Sequence, residues 1–337
     1  MTENLKSDEV VLKVENLTVN YELEDSIVEA VSDVSFSLKK GSTIGLVGET
    51  GAGKTTTALA IMNLVPDPPG VIKSGHIEVC GKSILDLPPH QLEKVRGKDV
   101  SMIFQDPMTS LNPVMTVGEQ IAESVYLHEN VTKAEAMART EEMLELVGIP
   151  AERAREYPHQ FSGGMKQRVV IAIALACNPS ILLADEPTTA LDVTIQAQVL
   201  DMMNELKEKL GTALVMITHD LGVVAQICDE VAVMYAGRIV ERGTLKDVFT
   251  DMRHPYTEGL FNSLPDVKNK DHKLRPIPGL MPDPTDLPKG CAFSPRCPYA
   301  TEHCREERPQ PKYVSDTHMV ECLRYEEDGF HIERGNN

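Results

Sequence analysis

The octapeptide GETGAGKT, which runs from Gly48 to Thr55, is the feature that most constrains the fold. It lies between the apolar run TIGLVG and the segment TTTALAIMNL, so the sequence predicts a strand, a glycine-rich loop and a helix in that order. The octapeptide fits G-x-x-x-x-G-K-[ST], whose glycines let backbone N–H groups wrap around phosphate while the helix presents its positive end. The sequence therefore predicts an α/β fold that binds a nucleotide at this loop.

Two side chains of the loop have separate expected tasks. Lys54 reaches the β- and γ-phosphates as a point charge, and Thr55 places its hydroxyl on Mg²⁺. A glycine turn without a ligand is the alternative interpretation. We expect the nucleotide to contact the whole loop and the next threonine: Gly48, Glu49, Thr50, Gly51, Ala52, Gly53, Lys54, Thr55 and Thr56.

The apolar run ILLAD, from Ile181 to Asp185, predicts a buried strand that ends in two carboxylates. Asp185 and Glu186 stand at its C-terminal end, where open α/β sheets hold their ligands. We expect Asp185 to hold Mg²⁺ through its water shell, and Glu186 to orient and deprotonate the attacking water. Solvated carboxylates that cap a strand are the alternative. Beside a phosphate loop, the pair indicates nucleotide hydrolysis.

Hydrophobic periodicity organises the rest of the chain. Alternation from Val10 to Leu38 predicts antiparallel strands, and the segment 114–158 predicts a mostly helical insert. Later helices alternate with the strands ILLAD and ALVMIT, an order typical of a parallel sheet. These helices are expected at 164–176, 193–210 and 221–228.

Prolines and cysteines set the end of the chain apart. Eight prolines lie between residues 265 and 298, too many for regular structure, and four of the seven cysteines follow in the same region. We expect an ATP-binding domain at 1–265, with a helical part at about 106–165. A small irregular appendage is expected at 266–337.

Charge and hydropathy limit the partners of the chain. The formal net charge is −18, so nucleic acid and an anionic lipid surface would repel most of the protein. The start, MTENLKSDEV, has no apolar signal-peptide core, and the longest apolar stretch, Val169 to Cys177, is about half of a membrane span. We expect a cytoplasmic protein that reaches a membrane through protein partners and does not bind nucleic acid.

Between the two parts of the nucleotide site lies FSGGMKQR, and here the sequence resembles the ATP-binding cassette (ABC) family. The resemblance covers about residues 10–265 and implies a parallel-sheet core with an antiparallel β subdomain and a helical subdomain. It matches Ser162, Gly163 and Gly164 to the family signature, which binds the γ-phosphate of ATP held by the opposite subunit. An S-G-G turn that opens a helix is also an anion site on physical grounds. Met165 replaces the commoner glutamine, which we expect to tune the site.

Other family elements follow in the expected order. The resemblance implies that Gln105 contacts Mg²⁺ and the attacking water, and that His219 contacts the γ-phosphate. Ala190–Asp192 matches the loop that links the two sites across the dimer. Tyr21 matches the aromatic residue that stacks on adenine, with ordinary packing as the alternative. The implied catalytic residues are Glu186, His219 and Gln105, and the implied Mg²⁺ ligands are Thr55, Gln105 and Asp185.

The segment RHPYTEGLFNSLP, residues 253–265, and the cysteine region resemble the extended ATPase subunits of oligopeptide and dipeptide importers. This resemblance implies peripheral attachment to the cytoplasmic membrane face, where a second, distinct ATPase subunit, two transmembrane permeases and an external solute-binding protein are the partners. Nickel and oligosaccharide importers of the same group remain alternatives. A soluble cassette protein and an exporter ATPase are less favoured by the single cassette, the charge and the tail. A nucleotide-binding module without hydrolysis is less favoured because Glu186 and His219 are present.

The four terminal cysteines follow the spacing C-x₅-C-x₆-C-x₁₇-C. Four thiolates suit an iron–sulfur cluster or structural zinc, and the first two gaps exceed those of zinc knuckles. The resemblance favours the cluster, because members of this subfamily can carry a [4Fe-4S] cluster here; zinc and unligated thiols stay open. His303 and His318 are expected at the surface. The implied cluster ligands are Cys291, Cys297, Cys304 and Cys322.

Overall fold

The computed structural model describes residues 8–189, 191–263, 275–326 and 329–332. Strands occupy β1 Val10–Glu22, β2 Ile27–Lys39, β3 Thr43–Val47, β4 Gly70–Val79, β5 Lys82–Ser83, β6 Val100–Ile103, β7 Ile181–Asp185, β8 Ala213–Thr218, β9 Glu230–Tyr235, β10 Arg238–Thr244, β11 Lys312–Tyr313 and β12 Met319–Val320. Helices occupy α1 Lys54–Ile61, α2 Pro89–Val95, α3 Pro107–Ser110, α4 Val117–His128, α5 Lys133–Leu146, α6 Gly163–Leu175, α7 Val193–Leu210, α8 Leu221–Ile227, α9 Leu245–Thr250, α10 Pro255–Asn262 and α11 Glu302–Glu306.

An eight-stranded sheet forms the centre of the fold, in the order β11-β12-β10-β9-β3-β8-β7-β6. Its strands from β9 to β6 run parallel, whereas β10 is antiparallel to β9. Every residue of β3, β7 and β8 is buried, as expected for strands covered on both faces. The predicted parallel-sheet core is confirmed.

The predicted antiparallel strands are also confirmed. They form a second sheet in the order β2-β1-β4-β5. Its apolar side chains, among them Leu12, Val14 and Val19, share a core with α1 and with one face of the central sheet. This packing holds the start of α1, and therefore the phosphate loop before it, between two sheets.

The helical insert is observed as α4 and α5, which pack on each other and on α6. Both begin with reciprocal capping hydrogen bonds, Thr116 with Glu119 and Thr132 with Glu135, which fix where each helix starts. Ile121 and other apolar residues of α4 join the core that covers the other face of the central sheet. Within the described ranges, no helix is both long and apolar enough to cross a bilayer.

The described part of the appendage is more ordered than its proline content suggests. Strand β12 pairs with β10 and β11 pairs with β12, so the tail extends the central sheet. A segment this short lacks a core of its own, and Phe293 is accordingly buried against Tyr235 and Tyr256 of the cassette. Pro265 and the expected boundary after it lie outside the described residues.

The two histidines of the appendage differ in exposure. The His303 side chain is 43% exposed, as predicted. The prediction for His318 is wrong, because it is 2% exposed and its Nε2 lies 2.7 Å from Oε1 of Glu241. The reason is the pairing of β12 with β10, which places His318 beside the sheet edge.

Candidate active site

The phosphate loop lies between β3 and α1, as the sequence predicts. Gly53 has φ of 97°, and a Cβ there would lie 2.4 Å from the backbone oxygen of Ala30, so glycine is required. Lys54 is 6% exposed, and its Nζ donates hydrogen bonds to the carbonyl oxygens of Gly48 and Glu49, at 2.7 and 2.9 Å. The lysine is therefore held over the loop.

A cleft of about 310 Å³ opens beside this loop. Tyr21 reaches its wall, and its hydroxyl lies 3.3 Å from Oγ1 of Thr56. Several of the residues predicted to contact the nucleotide or the attacking water line this cleft: Tyr21, Thr50, Gly51, Gly53, Lys54, Thr55, Thr56, Gln105 and Glu186. The structure thus brings together, in one cleft, residues that lie far apart in the cassette sequence.

Asp185 stands at the end of β7 and is 3% exposed. Burial raises the pKa of its carboxyl, while a hydrogen bond with Thr55 and the charge of Lys54 act in the opposite direction. Burial lowers the pKa of Lys54, opposed by the carboxylates of Glu186, Asp185 and Glu49. A buried cation and a buried carboxyl therefore face the place where phosphate and Mg²⁺ are expected.

Glu186 is the centre of a hydrogen-bond group at the cleft. Its Oε2 accepts from Nε2 of Gln105 at 2.9 Å and from the hydroxyl of Thr189 at 3.0 Å, and its Oε1 lies 2.9 Å from Nδ1 of His219. Burial acts to raise the pKa of this carboxyl, but the contacts with His219, Thr189 and Gln105 outweigh it and hold the pKa below its usual value. The carboxylate is therefore ionised at neutral pH and held by three side chains.

The sequence predicts no role for Thr189. A hydroxyl three residues after the glutamate is the only local signal for its contact with Glu186, and such spacing is common in turns.

The signature and the following loop lie away from this cleft. Ser162 caps α6, its hydroxyl accepting from the N–H of Met165, and Ser162 and Gly163 are exposed. Asp192 caps α7, with Oδ1 accepting from the N–H of Ile195 at 3.0 Å. None of the residues Ser162, Gly163, Gly164 and Asp192 lines the cleft of its own chain. Ala190 lies outside the described residues.

The tail also makes contacts with the phosphate loop that the sequence does not predict. Nη1 of Arg296 lies 3.0 Å from Oε2 of Glu49, and the backbone N–H of Glu49 donates to the hydroxyl of Tyr256 at 2.9 Å. Pro284 lines the nucleotide cleft. The arginine and the glutamate are 247 positions apart, so no local pattern could pair them.

The four terminal cysteines lie near one another. Burial raises the pKa of Cys291 to about 11 and of Cys322 to about 12, and for Cys322 the other three thiols add to this rise. The backbone N–H of Cys291 donates to the carbonyl oxygen of Cys304 at 2.8 Å. Across the described part of the chain, however, no three His, Cys, Asp or Glu side chains are grouped as a single metal ion requires. The predicted metal site is therefore not supported by this geometry.

Comparison with known proteins gives two family matches. The ABC transporter family matches residues 31–189, and the C-terminal region of oligopeptide/dipeptide transporters matches residues 240–304. The dimeric ABC cassette MJ0796, in a post-hydrolysis state with ADP and Pi, superposes with a TM-score of 0.63 at 28% identity, covering 69% of this chain and 98% of that one. CbiO1 from Clostridium perfringens, part of the ABC transporter complex cbiONQ, has a TM-score of 0.62 at 29% identity, covering 72% and 91%.

Curated relatives match along nearly the whole length. The chain is 51% identical to the oligopeptide transport ATP-binding protein OppD of Bacillus subtilis (strain 168), over 96% of this chain and 91% of the relative. It is 50% identical to OppD of Escherichia coli (strain K12), over 91% of each. The dipeptide transport ATP-binding protein DppD of Bacillus subtilis is 49% identical, over 93% and 94%. The chain therefore belongs to the ABC transporter family, in the group of oligopeptide and dipeptide importer ATPase subunits.

Proposed function

We propose that this chain hydrolyses ATP to drive the import of peptides. The observation that carries the hydrolytic part is the ionised Glu186, held by Gln105, Thr189 and His219 at a cleft that also contains the phosphate loop. A carboxylate fixed in this way is suited to orient a water molecule and accept its proton. Peptide as the transported solute rests on the relatives, which are named for oligopeptide and dipeptide transport.

The residues around the cleft have separate roles in ATP binding and hydrolysis. Lys54 and the loop N–H groups bind the phosphates, and Tyr21 stacks on the base. Thr55 and Asp185, which are hydrogen-bonded to each other, together with Gln105 would hold Mg²⁺, which neutralises phosphate charge when bound. His219, whose Nδ1 lies 2.9 Å from Oε1 of Glu186, orients this carboxylate and would contact the γ-phosphate.

The second half of each site comes from a partner cassette. Ser162 and Gly163 are exposed at the N-terminus of α6, a helix of 13 residues whose first N–H groups suit an anion. Because they lie away from the cleft of their own chain, they are free to meet ATP held by another cassette. The partner is a related but distinct ATPase subunit, and Asp192 belongs to the loop between the two sites. Dimeric cassettes among the similar structures support this assembly.

The cysteines of the appendage hold a [4Fe-4S] cluster in this proposal. The other three thiols add to the raised pKa of Cys322, and those of Cys291 and Cys304 add to the raised pKa of Cys297, yet among the described residues the four cysteines are not grouped as one metal ion requires. Four thiolates suit a cluster or zinc, and the sequence gaps of five and six residues exceed those of zinc knuckles, which favours the cluster. Iron and sulfide analysis after anaerobic purification tests this point. A colourless protein with one zinc per chain would overturn it.

The transport partners follow from the same group. Two transmembrane permeases and an external solute-binding protein complete the importer, and this chain attaches to the permeases at the cytoplasmic membrane face. Nickel and oligosaccharide remain the competing solutes, because selectivity in such systems lies in the other subunits.

The test uses the complex assembled with its permeases and binding protein. We expect peptides, and neither nickel nor oligosaccharides, to stimulate ATP hydrolysis. Glu186→Gln should keep ATP binding and lower turnover by a factor of about 100 or more, because only the proton acceptor is lost. Lys54→Ala should lower ATP binding itself. Wild-type turnover in Glu186→Gln would refute the role of Glu186, and stimulation by nickel alone would refute the peptide assignment.

A further inference from the structure

The segment from Pro278 to Arg296, here called the strap, lies against the phosphate loop. A Cβ on Gly51 of the loop would lie 2.9 Å from Cε of Met281, so the methionine covers this glycine. Pro284 forms part of the wall of the nucleotide cleft. The strap therefore reaches the nucleotide site from a part of the chain that lies outside the cassette motifs.

Arg296 is fixed at the end of the strap by three contacts. Its side chain is 6% exposed, and its Nη1 forms an ion pair with Oε2 of Glu49 at 3.0 Å. The same nitrogen donates to the hydroxyl of Tyr235 at 3.3 Å, and Nε donates to the carbonyl oxygen of Pro278 at 2.9 Å. A guanidinium held on several sides in this way has little freedom left to lose.

Glu49 connects Arg296 to the rest of the phosphate loop. Arg296 holds its carboxylate, and the hydroxyl of Tyr256 accepts its backbone N–H. Its carbonyl oxygen accepts a hydrogen bond from Nζ of Lys54, the residue expected to reach the phosphates. The second residue of the loop is thus fixed at its side chain, its N–H and its carbonyl oxygen.

We propose that Arg296 is a positioning residue for ATP binding, which holds the phosphate loop in its binding shape through Glu49. This inference rests on the proposed role of the loop in binding ATP. A loop that is already ordered loses less freedom when ATP binds, so the contact increases affinity. Among the contacts described for Arg296, none reaches Glu186, so the hydrolytic step at saturating ATP should not depend on it.

The test compares two arginines of the appendage that each pair with a glutamate of the cassette. Arg296→Met removes the buried pair. Arg308→Met is the matched control, since Nη2 of Arg308 lies 3.8 Å from Oε2 of Glu29 and both side chains are about 40% exposed. In the assembled complex, Arg296→Met should raise the Kd and KM for ATP by about tenfold and leave kcat within about twofold. Arg308→Met should change both by less than about twofold.

A double-mutant cycle shows whether the effect passes through Glu49. Glu49→Ala should also raise KM, and adding Arg296→Met to it should raise KM no further, because both changes remove the same contact. Additive effects would overturn the proposal. So would an unchanged KM in Arg296→Met, or a lower kcat at unchanged KM, which a smaller fraction of correctly folded protein would also produce.

Two further proteins keep the outcome decisive. If Arg296→Met does not assemble, Arg296→Lys replaces it: it keeps the charge but not the planar fork, so KM should rise severalfold, and a wild-type KM would overturn the proposal. Lys54→Ala separates this inference from the proposed function. Wild-type ATP binding in Lys54→Ala would refute the proposed role of the loop in binding ATP. Equal KM values for the Arg296 and Arg308 variants would refute only the proposed positioning role of Arg296.

Discussion

His254 makes the stability of this protein depend on pH in a way that can be worked out from its contacts. The side chain is 1% exposed, its Nδ1 accepts the N–H of Tyr256, and its ring donates to the backbone carbonyl oxygen of Glu321. Both ring nitrogens are hydrogen-bonded when the ring is neutral. A second proton, on Nδ1, would point at the N–H of Tyr256 and break that hydrogen bond. Burial accordingly lowers the pKa of His254 to about 3.

The sign and size of the effect follow by linkage. In the unfolded chain a histidine takes up its proton near pH 6.5, whereas the folded protein keeps His254 neutral, so acid favours unfolding. The contribution of His254 to the free energy of unfolding is present in full well above about pH 6.5 and is lost progressively as the pH falls below this value. Between pH 7.5 and 5.5 the loss from this group is about 1.4 kcal/mol. The folded value of about 3 does not affect this figure, because the folded ring stays neutral throughout that range.

The assay is urea unfolding of the full chain at pH 7.5 and 5.5. His254→Asn keeps a side chain that can cap α10 but does not titrate, so its loss of stability between the two pH values should be smaller by about 1.4 kcal/mol. Only the change with pH is compared, since the variant also loses a packed ring. His303→Asn, at an exposed position, should follow the wild type. Parallel pH profiles for wild type and His254→Asn would refute the reasoning.

Two further predictions concern the sheet edge and the phosphate loop. His318→Ala should lower the free energy of unfolding by about 1.5–3 kcal/mol, because it removes the contact between Nε2 of His318 and the buried carboxylate of Glu241, 2.7 Å apart. His303→Ala, at an exposed position, should change the free energy of unfolding by about 0.5 kcal/mol or less, and urea unfolding midpoints compare the two variants. Gly53→Ala should weaken ATP binding by more than about tenfold, because its Cβ would overlap the backbone oxygen of Ala30 at a positive φ; unchanged ATP affinity would contradict this.

The features that the sequence predicted well are those that a short window contains. The glycines of the phosphate loop, together with the strand before it and the helix after it, are enough to predict the loop. Asp185 and Glu186 follow an apolar run whose end must meet the loop at one edge of a parallel sheet. Helix α7, expected at 193–210, is observed at Val193–Leu210, where the side chain of Asp192 caps its start and Gly211 ends it in the left-handed conformation.

The features that the sequence did not predict depend on contacts between distant segments. Strands β11 and β12 have two residues each, too few to show any alternation. The burial of His318 follows from the pairing of β12 with β10, so the sequence did not show it either. The pair formed by Arg296 and Glu49 has no local trace, since an arginine in a proline-rich segment is most often a solvated side chain.

These distant contacts change how the tail relates to the nucleotide site. Phe293 of the tail packs on Tyr235 and Tyr256, with ring centroids 5.2 and 5.5 Å away. The hydroxyls of the same two tyrosines contact Arg296 and the N–H of Glu49. One aromatic cluster therefore anchors the appendage and supports the phosphate loop at once. Any change that loosens the tail from this cluster must also act on the second residue of the loop, so the stability of the appendage and the affinity for ATP are linked through these shared rings.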